Sequence, residues 1–127
     1  EALDRVGIDT IFLVAPTTPE PRLRAIAARA RGFIYCVSLT GVTGARQALP
    51  TDLPEYLARV RSFTNLPLAV GFGVSRPEHL ASLRGIADAA IVASAIIDRM
   101  EHTPSDTHVQ ELRSFAKSLR NAADGVS

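Results

Sequence analysis

Three features of this 127-residue sequence predict an α/β fold, half of a TIM (β/α)8 barrel. Four strand-length runs, Ile11 to Ala15, Phe33 to Ser38, Leu68 to Phe72 and Ala89 to Ala93, are near-continuously apolar instead of alternating. Strands buried on both faces of a parallel sheet have this pattern. A helical pattern follows each run, and the strand starts are about 21 to 35 residues apart, which suits βα units. Four such units make either a small open sheet or half of an eight-stranded barrel of about 250 residues. The start favours the half barrel. Glu1 to Val6 reads as the last turns of a helix stopped by Gly7, and the only methionine is Met100. The expectation is a piece of a longer chain, with residues 1–127 filling half of a single barrel domain.

The helices have start signals that can be named. Thr18 with Pro19 opens one carrying Leu23, Ile26, Ala27 and Ala30 on one face, and Thr51 opens another with Leu53, Tyr56, Leu57, Val60 and Phe63. Ser75 and Glu78 have the spacing of a capping box before Leu80 and Leu83. A short helix follows the fourth strand to about Glu101. After a polar break at His102 to Ser105, a final helix presents Val109, Leu112, Phe115, Ala116 and Leu119 at helical spacing.

Composition narrows the function. The chain is 46% hydrophobic, which fits one globular domain, and its longest apolar runs are strand-length, so no membrane span is expected. Fourteen basic against thirteen acidic residues give a net charge of +1, with the arginines spread along helical faces, which argues against nucleic acid as a partner. The lone Cys36 excludes an internal disulfide and reads as a small buried hydrophobe. With no secretory or transit pattern, the expected location is cytoplasmic.

In a parallel βα architecture, reactive groups stand at the carboxyl ends of strands. This sequence places there Pro16, Thr17 and Thr18; Ser38, Thr40, Thr43, Gly44 and Arg46; Gly71, Phe72, Gly73 and Ser75; and Ala93 and Ser94. No carboxylate pair, nucleophilic triad or metal-ligand cluster can be assembled from these residues. His79, His102 and His108 fall on helical or terminal segments and read as solvated surface histidines. What remains suits an anion. The amides of Gly44, of Gly73 with Val74, and of the helix opening at Ser94 are placed to share one phosphate. The connection from Leu39 to Pro50 is long for a compact domain, and its Gly41, Thr43 and Gly44 favour a functional lid.

Four segments, taken in order and spacing, carry a family resemblance. Phe33-Ile34-Tyr35-Cys36-Val37-Ser38, Thr40-Gly41-Val42-Thr43-Gly44-Ala45, Val70-Gly71-Phe72-Gly73-Val74-Ser75 and Ile91-Val92-Ala93-Ser94-Ala95-Ile96 resemble the second half of the tryptophan synthase alpha subunit family. The resemblance implies strands five to eight of a (β/α)8 barrel. It also implies a lyase of tryptophan biosynthesis that cleaves indole-3-glycerol phosphate to indole and glyceraldehyde 3-phosphate. Indole then passes to a beta subunit, where the pyridoxal phosphate resides, so the resemblance implies no cofactor on this chain. Gly44, Phe72, Gly73, Ala93 and Ser94 would belong to the phosphate and substrate pocket, Tyr35 would line it, and Thr43 on the closing loop would orient a catalytic acid. The family's catalytic Glu and Asp lie in the first half of its barrel, so the isolated chain is expected to be inactive. Ala93 departs from the glycine usual before that serine, and under the resemblance its methyl would crowd the phosphate position. Two other readings stand beside this one. One is a non-catalytic phosphate-binding half barrel that pairs with its own copy through two sheet edges. The other is a different phosphate-gripping barrel, such as indole-3-glycerol phosphate synthase or a phosphoribosyl isomerase, which would need catalytic side chains at strand ends that are absent here.

Overall fold

The computed structural model describes residues 3–38 and 50–125. Four parallel strands, β1 (Phe12–Val14), β2 (Ile34–Val37), β3 (Leu68–Gly71) and β4 (Ala89–Ala90), lie side by side in chain order. Helices α1 (Glu20–Arg29), α2 (Leu53–Arg61) and α3 (Pro77–Leu83) connect them, and α4 (Ser94–His102) and α5 (His108–Asp124) follow the last strand. The register runs straight across, with Leu13 beside Tyr35, Tyr35 beside Ala69, and Ala69 beside Ala89. Sequential neighbours in one parallel sheet, each joined by a helix, are the repeat from which a βα barrel is built.

Side-chain alternation gives the sheet two unlike faces. Val14, Ile34, Cys36, Leu68 and Val70, each at most 1% exposed, pack with Leu23 and Ile26 of α1 and with Leu53, Tyr56, Leu57 and Val60 of α2. On the opposite face the two edge strands are open, with Leu13 56% exposed and Ala89 exposed, while Tyr35 is half-buried and Ala69, between them, is buried. Hydrogen bonds from α2 lock the helix layer to the first strand. The Tyr56 hydroxyl donates to the Val14 carbonyl at 2.8 Å, and the Arg59 guanidinium donates to the carbonyls of Pro16 and Thr18. At the far side, Arg99 of α4 bonds Glu111 of α5 at 2.5 Å and stacks its guanidinium on the Phe115 ring.

Several local expectations are corrected. The strands are shorter than their apolar runs, and β4 is only Ala89–Ala90, because the ladder to Leu68–Gly71 engages just two of its residues. Asp4–Val6 is a single 3-10 turn instead of the end of an α-helix, although Gly7 after it does take a positive φ of 72°. Among the described residues, none of the helices α1 to α5 carries a side-chain cap. Thr18 Oγ1 accepts the Ala15 amide at 2.8 Å, and Pro19 takes the cap position of α1; Asp52, not Thr51, precedes α2. The Ser75–Glu78 capping box does not form, since α3 begins one residue late behind Arg76. Val109 of α5 faces outward at 72% exposure, leaving Phe115 and Leu119 as the buried anchors of that helix.

Candidate functional site

The carboxyl ends of β3 and β4 come together because the register holds them there. Val70 pairs with Ala90, and the Ile91 amide donates to the Val70 carbonyl at 2.8 Å. Gly73 lies three residues beyond Val70 and Ser94 four beyond Ala90, so both stand past the same end of adjacent strands. Gly73 turns the chain with φ of 69°, a left-handed conformation in which a side chain would be strained. Ser94 is the first residue of α4, and the intrahelical ladder starts with the Ile96 and Ile97 amides on the Ala93 carbonyl, at 2.9 and 3.1 Å. The amides of Ser94 and Ala95 precede that ladder at the positive end of a nine-residue helix. Turn and helix start together offer backbone donors and partial positive charge, which is what a phosphate needs.

Tyr35 stands on the uncovered face, one strand away. Its ring lies over Gly71, where a Cβ would come within 2.5 Å of the Tyr35 Cε2 and hydroxyl oxygen. Gly71 is therefore not a turn glycine; it vacates the space that the phenol occupies. Phe72 points the other way. It is 5% exposed, part of the helix-side core, with its ring 6.2 Å from that of Tyr56. What Phe72 presents to the strand end is its backbone. Ala93 is exposed beside half-buried Ser94. Thr40, Thr43, Gly44 and Arg46, on the connection from Leu39 to Pro50, lie outside the described residues.

The ionisable groups around the sheet are either exposed or structural. Glu20, Glu55 and Glu78, in the first turns of α1, α2 and α3, are all exposed. Asp88 sits at the opposite end of the sheet. Its carboxylate accepts the Leu68 amide at 2.8 Å and pairs with Arg61, and these partners hold its carboxyl below the usual carboxylate range. Cys36 is fully enclosed, and burial pushes its thiol up to about 11 against smaller opposing effects of the Tyr56 hydroxyl and Arg61. Such a thiol is an inert core group. Among the described residues no set of three His, Cys, Asp or Glu side chains is placed to hold a metal, and no helix is long and apolar enough to cross a membrane.

His79 is the residue that sequence reasoning misplaced. It is 4% exposed, and its Nδ1 accepts the Ser75 amide at 3.3 Å. The i,i+4 spacing of Ser75, His79 and Leu83 put His79 on the inner face of α3, a signal outweighed in the sequence by histidine's usual preference for water. His102 is exposed on α4 as expected, and half-buried His108 lies 2.6 Å from the Thr103 carbonyl.

A family model described as tryptophan synthase alpha chain matches residues 1–126. The chain belongs to that family. The tryptophan synthase alpha chain of Roseiflexus sp. is 54% identical over 114 residues, which are 90% of this chain and 44% of that protein. Among solved structures, the tryptophan synthase alpha chain of Legionella pneumophila superposes with a TM-score of 0.81 at 28% identity, covering 98% of this chain and 45% of that one. Tryptophan synthase of Mycobacterium tuberculosis gives a TM-score of 0.83 at 34% identity, covering 96% and 44% respectively. The chain thus spans less than half the length of the family members it matches. Its four-stranded sheet with outer helices is half of their TIM barrel.

Proposed function

We propose that this chain is the C-terminal half of an alpha-chain barrel, strands five to eight, and that it grips the phosphate during retro-aldol cleavage of indole-3-glycerol phosphate. The observation that carries the reading is the pairing of the Gly73 turn with the Ser94 helix start past the ends of two neighbouring parallel strands. Amides fixed in place bind a phosphate without needing to be reorganised, and a held phosphate keeps the reacting end of the substrate in register. Tyr35 lines the pocket from the next strand, while Gly44 adds a further amide and Thr43 on the closing loop orients the catalytic acid.

Cleavage needs a base to take the proton from the hydroxyl next to the indole ring and an acid to protonate the ring carbon as the carbon–carbon bond breaks. Indole and glyceraldehyde 3-phosphate are the products. The described strand ends carry no carboxylate for either role, so in this proposal both catalytic carboxylates come from the other half of the barrel. Indole passes to a beta subunit, which carries the pyridoxal phosphate.

The test is complementation. The 127-residue chain alone is expected to release no indole from indole-3-glycerol phosphate. Mixed with the N-terminal half of the Roseiflexus relative, it is expected to release indole at a rate that saturates with added fragment. Turnover by the chain alone, or a folded but inactive mixture, contradicts the proposal.

A further inference from the structure

His79 occupies the place from which a capping-box side chain reaches back to the helix start, the third residue of α3 counted from Pro77. It reaches one residue further. Its Nδ1 accepts the amide of Ser75, which lies two residues after the left-handed Gly73 in the connection from β3 to α3. Among the described residues, neither His79 Nε2 nor the Ser75 hydroxyl oxygen, both buried, has a hydrogen-bond partner. A leucine here would leave no buried ring nitrogen unpaired, so what the imidazole contributes is the one bond it makes, and that bond ends on the turn.

We propose that His79 is a positioning residue that holds the Gly73–Ser75 turn through the Ser75 amide, so that the turn's remaining amides stay aimed at the phosphate. This rests on the phosphate reading of the strand ends given above. The Gly73 backbone is left-handed, and the segment between β3 and α3 is five residues, Phe72 to Arg76. Tethering its far end from inside the fold limits the conformations it loses on binding an anion, which is how preorganisation raises affinity.

The experiment uses the 127-residue chain, labelled with nitrogen-15 and titrated with inorganic phosphate. In the wild type, a nitrogen–nitrogen coupling across the Ser75 N–H to His79 Nδ1 bond is expected, and the Gly73 and Val74 amide signals are expected to shift with phosphate. His79→Leu, which has no acceptor, is expected to bind phosphate at least tenfold more weakly. His79→Gln, whose side-chain oxygen can accept the Ser75 amide, is expected to stay within threefold of wild type. Equal phosphate affinity in wild type and a folded His79→Leu overturns the positioning role and leaves the phosphate reading intact. Absence of any phosphate-dependent shift in the wild type overturns the phosphate reading, and the positioning role with it. Should His79→Leu not fold, the coupling and the His79→Gln affinity decide: no coupling, or a loss in the glutamine variant as large as that set for leucine, overturns the proposal.

Discussion

The two faces of the sheet differ in what closes them. Beneath the helices, Leu68 and Val70 are fully enclosed and Cys36 has no exposure at all; one residue away along the neighbouring strand, Leu13 is 56% exposed on the other face. One strand can hold both kinds of position because alternate side chains point to opposite sides. The lesson is that the apolar runs in this sequence record two separate demands. The helix side is satisfied within the chain, and the other side matches the interior of a barrel of which the chain forms half.

Substitutions can break that contrast. The largest effect is expected at Leu68→Ala, where a cavity opens in the enclosed layer and about 2–5 kcal/mol of stability is lost; urea unfolding of the chain measures it. Next is a pH effect from Cys36. Its thiol is raised from an ordinary 9.0 to about 11, so the unfolded chain ionises first. The contribution is complete below pH 9 and is lost as pH rises toward 11, on the order of 3 kcal/mol. Cys36→Ala is expected to flatten that alkaline limb of the stability profile.

Gly71→Ala sharpens the comparison on the uncovered face. Its methyl would meet the Tyr35 ring, but a phenol on that face has room to turn aside, so a loss of about 1 kcal/mol is expected, recovered in Gly71→Ala with Tyr35→Ala. A larger loss that the double variant does not recover would mean that Gly71 is needed for its backbone and not for the space above it. Leu13→Ala is expected to be the mildest, within about 0.5 kcal/mol in the chain alone. A loss at Leu13 comparable with that at Leu68 would show that the second face is closed in solution.

Much of this was legible in the residues, and the misses have physical causes. The four runs located the strands because burial on both faces demands continuous apolar sequence. Their ends were overestimated, since Ile91 and Val92 are as apolar as strand residues although only Ala89 and Ala90 enter the ladder. Gly73 and Ser94 stood out as strand-end donors, and the register brings them to one end. Gly71 was legible only as part of a glycine motif, because its function depends on Tyr35, thirty-six positions away in sequence and on the next strand. The bonds from Tyr56 and Arg59 to the β1 end had no sequence signal, because a backbone carbonyl accepts from any donor the fold delivers. His79 was misread for a related reason: a histidine's burial depends on finding one acceptable partner, here a main-chain amide with no identity of its own.

The central claim is that the ends of β3 and β4 form one phosphate site, and it can be read directly by titrating the nitrogen-15-labelled chain with glycerol 3-phosphate and following every backbone amide. The account expects Gly73, Val74, Ser94 and Ala95 to shift together along a single binding curve, while Leu68 and Asp88 at the opposite end of the sheet stay still. Shifts at Gly73 without Ser94, or shifts centred on the Asp88 end, would contradict it.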